Sequence, residues 1–202
     1  MIKMMQKQLV LASSNAKKMA EIQHLFQDFA DLKIIAQQSL GIASIDEPYG
    51  TFLENALAKA RHAAKHAKMP ALADDSGLCV PFLNGAPGVF SARFAGNDAN
   101  DAQNNQKLLQ SLHNAPDKSA FFVCVFVLVQ NENDPLPLVA QGIWHGKILN
   151  EPKGNNGFGY DPIFQPEGFQ QSAAELSANE KNAFSHRGKA LLELKKTLAQ
   201  WF

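Results

Sequence analysis

Cysteine is scarce in this chain of 202 residues: there are two, Cys79 and Cys124. Each lies in an apolar stretch that reads as buried strand, which predicts reduced thiols and no disulfide frame. Net charge is missing too, since 19 Lys and Arg face 19 Asp and Glu. Proteins that grip nucleic-acid polymers carry a surplus of cation, so that class is excluded. The most extended apolar stretch, Ala120 to Val129, is half of the ~20 residues that a membrane span requires. The opening MIKMMQKQLVLASSNAKK is apolar over too few residues to be a secretory signal. The expectation is a cytoplasmic protein that engages neither membrane nor nucleic-acid polymer. No repeat, low-complexity tract or interdomain linker interrupts the chain, so one domain, 1–202, is expected. With 46% apolar and 19% charged residues the balance is globular, and a single core at this length buries roughly 70% of the surface of the unfolded chain.

What is present is an alternation of strand and helix signals. Gln8 to Ala12 is a short apolar strand running into Ser13, Ser14 and Asn15, then into an amphipathic segment, Ala16 to Phe26. Lys33 to Ala36 is a second strand. Thr51 and Glu54 form a capping pattern for a helix reaching about Lys68, with Phe52, Ala56, Ala60, Ala63 and Ala67 on one face. Pro70 ends it, and Ala71 to Ala73 reads as a buried strand terminated by Asp74 and Asp75. Gly85 to Gly88 is turn chemistry, and Gly96 to Asn105 is a polar loop or helix start. Ala120 to Gln130 and Leu138 to Trp144 form a hairpin, and Ser177 with Glu180 precedes a terminal helix striped by Leu191, Leu194, Leu198 and Trp201. The pattern predicts an α/β fold with a mixed sheet flanked by helices.

Four segments carry chemistry. Ser13, Ser14 and Asn15, followed by Ala16, Lys17 and Lys18, place hydroxyls, free amides and lysines at a helix start, which suits a phosphate. The spacing is not that of a Walker loop, and an N-cap followed by solvated lysines is the structural alternative. Asp74-Asp75-Ser76 at a strand end suits a hard cation such as magnesium, with Glu47, or Asp46 beside it, completing the site; ordinary turn formation is the alternative. In Gly157-Phe158-Gly159-Tyr160-Asp161, glycines let backbone approach a flat ligand while a ring stacks on it and a carboxylate reads its edge. Ser185-His186-Arg187-Gly188-Lys189, preceded by Lys181, puts cations at a helix start, against the dipole preference, and so suits an anionic or carbonyl ligand. His62 and His66 stand i,i+4, but Ala63 occupies the glutamate position of a zinc-protease motif, so they read as a solvated face. Ser76 lies outside any G-x-S-x-G elbow, which ranks a serine hydrolase last.

In order along the chain, SSNAKK, T-F-x-E-N-A at Thr51 to Ala56, ADDSGL at 73–78, GAPGVFSARFAG at 85–96, GFGYDPIF at 157–164 and SHRGKAL at 185–191 resemble the inosine/xanthosine triphosphate pyrophosphatase family. The resemblance implies an elongated two-lobed α/β fold with a cleft between the lobes, and a homodimer. It implies a magnesium-dependent enzyme that hydrolyses inosine, deoxyinosine and xanthosine triphosphates to the monophosphate and pyrophosphate, clearing them from the nucleotide pool. Ser13 to Lys18 would then hold the triphosphate, Glu47 and Asp75 the magnesium, and Asp75 would also accept the proton of the attacking water. Ser76 would touch substrate, Phe158, Gly159, Tyr160 and Asp161 would enclose the base, and Lys181, His186 and Arg187 would complete the pocket. Ser14 and Asn156 depart from frequent family glycines, and asparagine tolerates the backbone that glycine favours.

These residues imply a mechanism: attack at the α-phosphorus, charge neutralised by Lys18 and Lys181, Asp74 assisting Asp75, and donors of His186 or Arg187 reading the 6-keto oxygen. The rivals are a related pyrophosphatase for modified pyrimidine triphosphates and a non-catalytic nucleotide sensor, against which the intact acid cluster argues.

Overall fold

The computed structural model describes residues 7–13, 15–26 and 32–201. Along the chain these form β1 (Lys7–Ala12), α1 (Ala16–Leu25), β2 (Leu32–Ala36), α2 (Phe52–Ala67), β3 (Ala71–Cys79), α3 (Asp101–Ser111), β4 (Ser119–Val129), β5 (Leu138–Ile148), β6 (Phe164–Pro166), α4 (Ala178–Phe184) and α5 (His186–Trp201). The strands make one sheet in the order β2-β1-β3-β4-β5-β6. β1 runs parallel to both β2 and β3, whereas β6 is antiparallel to β5, so the expected mixed α/β sheet is present. Parallel neighbours need crossover connections, and α1 and α2 supply them.

The fold divides into two compact units. The first runs to Asp75 and takes in Val125–Ala140 and the chain from Leu191. Leu9, Val10 and Leu11 of β1 are fully buried, as are Ala71, Leu72 and Ala73 of β3. Such unbroken apolar strands are what a sheet covered on both faces requires. α2 packs on β1 through small side chains that permit close approach. The expected stripe is rotated: Asn55, Ala56, Ala60, Ala63 and Ala64 are buried, while Phe52 and Ala67 stay half-exposed. The rotation follows from Asn55, whose amide has partners inside. Thr51 caps α2 by accepting from the Glu54 amide at 3.2 Å, and its hydroxyl donates to Glu54 Oε2 at 2.7 Å.

The second unit comprises Ser76–Cys124 and Gln141–Ala190. Its core gathers Leu78, Leu108, Phe122, Trp144, Tyr160, Ile163 and Phe164. The polar stretch before Asn105 becomes the start of α3, closed by a reciprocal box between Asn100 and Gln103. The helix expected after Ser177 is two helices. The Ser177–Glu180 box opens α4 alone. Ser185 then adopts extended backbone (ψ 161°), and its Oγ accepts from the Gly188 amide at 3.2 Å to start α5. Gly188 is required there, because a Cβ would lie 1.8 Å from the Asn182 carbonyl oxygen. Cys79 and Cys124 are both buried and neither is in a disulfide. Among the described residues no helix is long and apolar enough to cross a membrane.

Candidate functional site

The first unit holds a cluster of two buried acids with a half-buried acid and two half-buried lysines. β1 ends at Ala12, opposite Ala73 of β3; β3 continues through Asp74 and Asp75, which are buried at 1% and 4% exposure. The sequence placed these acids at the terminus of a strand, whereas they sit within β3. What ends is the neighbouring strand, so the acids still lie beyond a carboxyl edge, that of β1, where α/β sheets collect ligands.

Lys18 of α1 reaches Asp74 Oδ2 at 3.2 Å. Asn55 of α2 donates from Nδ2 to Asp75 Oδ2 at 3.1 Å, and the same amide exchanges hydrogen bonds with the Tyr49 backbone. One turn further along α2, Lys59 pairs with Glu47 and lies 3.9 Å from Asp75 Oδ1. Burial pulls the Lys59 ammonium down, but Asp74, Asp75 and Glu47 outweigh it and leave its pKa raised. Asp75 is pushed up from 3.8 to about 6, chiefly by burial; Glu47 adds to the rise, while Lys59, Lys18 and Asn55 oppose it. A carboxylate with a pKa near neutrality is suited to take a proton.

The second unit holds the aromatic group. Gly157 adopts φ +73°, and a Cβ on it would meet Asp161 Oδ2 at 2.1 Å, so only glycine fits. That oxygen accepts from the Phe158 amide at 2.8 Å and from Lys181 Nζ at 2.7 Å. Lys181 and Asp161 are both buried, and this pair fixes the loop. The Lys181 ammonium stands 4.8 Å and the Arg187 guanidinium carbon 5.7 Å from the Phe158 ring centre, both at cation–π distance. Arg187 donates to Ser76 Oγ at 3.2 Å. His186 lies flat against Phe122, centroids 4.7 Å apart at 11°, and is 5% exposed. The Tyr160 hydroxyl donates to the Ser91 carbonyl at 2.8 Å.

The structure thus gathers Lys18, Glu47, Asp74 and Asp75 in one group, and Ser76, Phe158, Asp161, Lys181 and Arg187 in another. Ser13 is buried, with its Oγ accepting from the Asn15 amide; Asn15 Oδ1 accepts from the Lys18 amide at 3.1 Å, the N-cap geometry of α1. Lys18, expected as either phosphate ligand or solvated lysine, is paired with Asp74. Ser14 lies outside the described residues, as do the side chains of Ala16 and Lys17. Of the two loop acids, Glu47 joins the cluster and Asp46 is exposed. Sequence reasoning passed over Lys59 and Asn55. Their signal was present in the i,i+4 spacing on a helix otherwise faced with alanine. Asp101 and Asn105 were also passed over: Gly159 donates to Asp101 Oδ2 at 2.8 Å and accepts from Asn105 Nδ2 at 3.1 Å.

An α/β chain bearing an acid–lysine group around two buried carboxylates and a cation-flanked aromatic loop has the parts of a nucleotide hydrolase. The chain belongs to the Ham1 family, whose sequence model matches residues 9–197. A dITP/XTP pyrophosphatase of Coxiella burnetii is 53% identical over 197 residues, covering 96% of this chain and 98% of that one. A dITP/XTP pyrophosphatase of Nitrosomonas europaea is 50% identical over 192 residues, covering 95% and 94%. The solved structure of a HAM1 protein from Coxiella burnetii superposes with a TM-score of 0.91 at 52% identity, covering 96% of this chain and 99% of that one.

Proposed function

We propose that this chain hydrolyses non-standard purine nucleoside triphosphates, those of inosine, deoxyinosine and xanthosine, to the nucleoside monophosphate and pyrophosphate. The observation that carries the reading is the division of labour among the buried groups. Acids and lysines suit a polyphosphate, whereas a ring flanked by two cations suits a flat, keto-bearing base. Relatives about half identical along nearly the whole chain, named for dITP and XTP, support the substrate class.

In this mechanism Lys18 and Lys59 neutralise the triphosphate, and the amides at the start of α1 add donors. Asp75 accepts the proton of a water that attacks the α-phosphorus, the Pα–O bond breaks, and pyrophosphate departs. Asn55 orients the Asp75 carboxylate through Oδ2. Phe158 stacks on the base, with its ring held by the Asp161–Lys181 pair, while Arg187 or His186 donates to the 6-keto oxygen. Adenine would present an amino donor to those donors and leave them unpaired.

Glu47 and Asp75 fit a magnesium ion. Their carboxylates converge on one point of positive charge, now the Lys59 ammonium, and magnesium needs few protein oxygens when water and phosphate complete its shell. Once bound, the ion would offset charge on the phosphate oxygens and the leaving group. A homodimer working in the cytoplasm completes the proposal, and sedimentation of the purified chain tests its assembly.

The deciding experiment offers ITP, dITP, XTP, GTP, ATP and dTTP with and without magnesium and scores monophosphate and pyrophosphate. Release of pyrophosphate from the first three, dependent on magnesium, is expected. Preference for a pyrimidine triphosphate, or binding without turnover, overturns the reading.

A further inference from the structure

We infer that Asp101 and Asn105 of α3 are positioning residues for base recognition, holding the Gly159 peptide and, through it, the ring of Phe158. The inference rests on the reading of Phe158–Asp161 as the base-binding loop. α3 lies outside every motif through which the sequence resembles a known family, so nothing in that resemblance assigns it a role.

Both polar groups of the Gly159 residue end on one face of α3. Its N–H donates to Asp101 Oδ2 at 2.8 Å, and its carbonyl accepts from Asn105 Nδ2 at 3.1 Å. The two side chains stand one helical turn apart, the spacing at which they project together. α3 does not need Asp101 as a cap, because Asn100 and Gln103 already close its amino end reciprocally. Gly159 adopts φ +63°, and a Cβ there would meet nothing within 4 Å, so no neighbouring atom crowds its α-carbon. Both hydrogen bonds to α3 hold the Gly159 peptide itself.

α3 is itself anchored. Asn104 Oδ1 accepts from the Ala95 amide at 2.8 Å, and Asn104 Nδ2 donates to the Ala92 carbonyl at 3.1 Å. The Phe158 ring thus hangs between two fixed points: Asp161 with Lys181 on its own amide, and the α3 clamp on the next residue. Releasing the second leaves the ring free to tilt away from a stacked base. The chemistry at Asp75 is untouched, since α3 contributes no group to the acid–lysine cluster. Loss of uniform binding of this kind raises KM and leaves kcat alone.

The test measures dITP hydrolysis by the wild type and by Asp101→Ala, Asp101→Asn and Gln103→Ala, together with backbone hydrogen exchange across residues 157–160. Asp101→Ala is expected to raise KM about tenfold, the effect of losing one hydrogen bond to an ionised acceptor, with kcat within about twofold, and to speed exchange at Gly159. Asp101→Asn keeps an acceptor for the Gly159 amide and is expected to recover most of the KM. Gln103→Ala weakens the cap of α3 and serves as the structural control: its melting temperature falls and its KM does not change. An Asp101→Ala KM within twofold of wild type overturns the inference, as does a control whose KM rises equally. If the wild type leaves dITP intact, the hydrolysis reading falls, and exchange alone judges the clamp: unchanged protection of Gly159 in Asp101→Ala overturns it.

Discussion

Replacing Asp75 by asparagine is expected to make the metal-free protein more stable while abolishing its activity. Asp75 is 4% exposed, and its pKa is raised from 3.8 to about 6, with burial the main cause. The native protein therefore holds this proton more tightly than the unfolded chain. That contribution to stability is fully present below pH 3.8 and is lost as the pH climbs through about 6. At pH 8 the ionised carboxylate costs roughly 3 kcal/mol relative to its neutral form. Asparagine has the same shape, retains an acceptor for Asn55 and carries no charge. The variant should gain up to that amount, roughly 6–12 °C in melting temperature for a chain of this size. The gain should shrink to about half near pH 5 and to well under 1 kcal/mol near pH 4, where the native carboxyl is already protonated. Thermal unfolding followed by circular dichroism in EDTA, from pH 4 to pH 8, measures it. An asparagine variant that melts at or below wild type at pH 8, or a difference that does not change with pH, would show that the buried Asp75 charge does not destabilise the fold.

Removing Lys59 acts in the opposite direction. Lys59→Met leaves Glu47, Asp74 and Asp75 without a cation they share, and should cost about 3 kcal/mol in urea unfolding at pH 8; added magnesium should restore part of the loss, and unchanged stability would contradict the assignment. Phe158→Ala should raise KM for dITP tenfold or more, since stacking contributes about 1–3 kcal/mol per base, with kcat within threefold; an unchanged KM places the base elsewhere. Tyr160→Phe removes the donor to the Ser91 carbonyl and should lower stability by about 1 kcal/mol, read as a fall of roughly 2–4 °C in melting temperature.

Local chemistry made much of the molecule legible. Thr51 and Ser177 cap helices because their oxygens accept from the amides three residues on, an interaction written in nearby residues. The unbroken apolar runs of β1 and β4 announce strands buried on both faces, and the ordered motifs name most of the residues that the two buried groups contain. The helix start expected at Ser185 is where α5 begins; spacing alone did not show that α4 is a separate helix before it, because the break depends on how closely Gly188 approaches Asn182.

Other outcomes were decided only by the fold. Asp74 and Asp75 lie within β3, and their position beyond a strand end depends on where β1 stops beside them. Lys59 looks like any helical lysine until α2 turns it toward three acids, and Asp101 looks like any first-turn acid until Gly159, 58 residues later, arrives against it. Residue order specifies capping, periodicity and turn geometry because those interactions reach only a few positions along the chain. A pKa near 6, a cation-flanked ring and a clamped peptide need partners that are remote in sequence, so only burial and packing could create them.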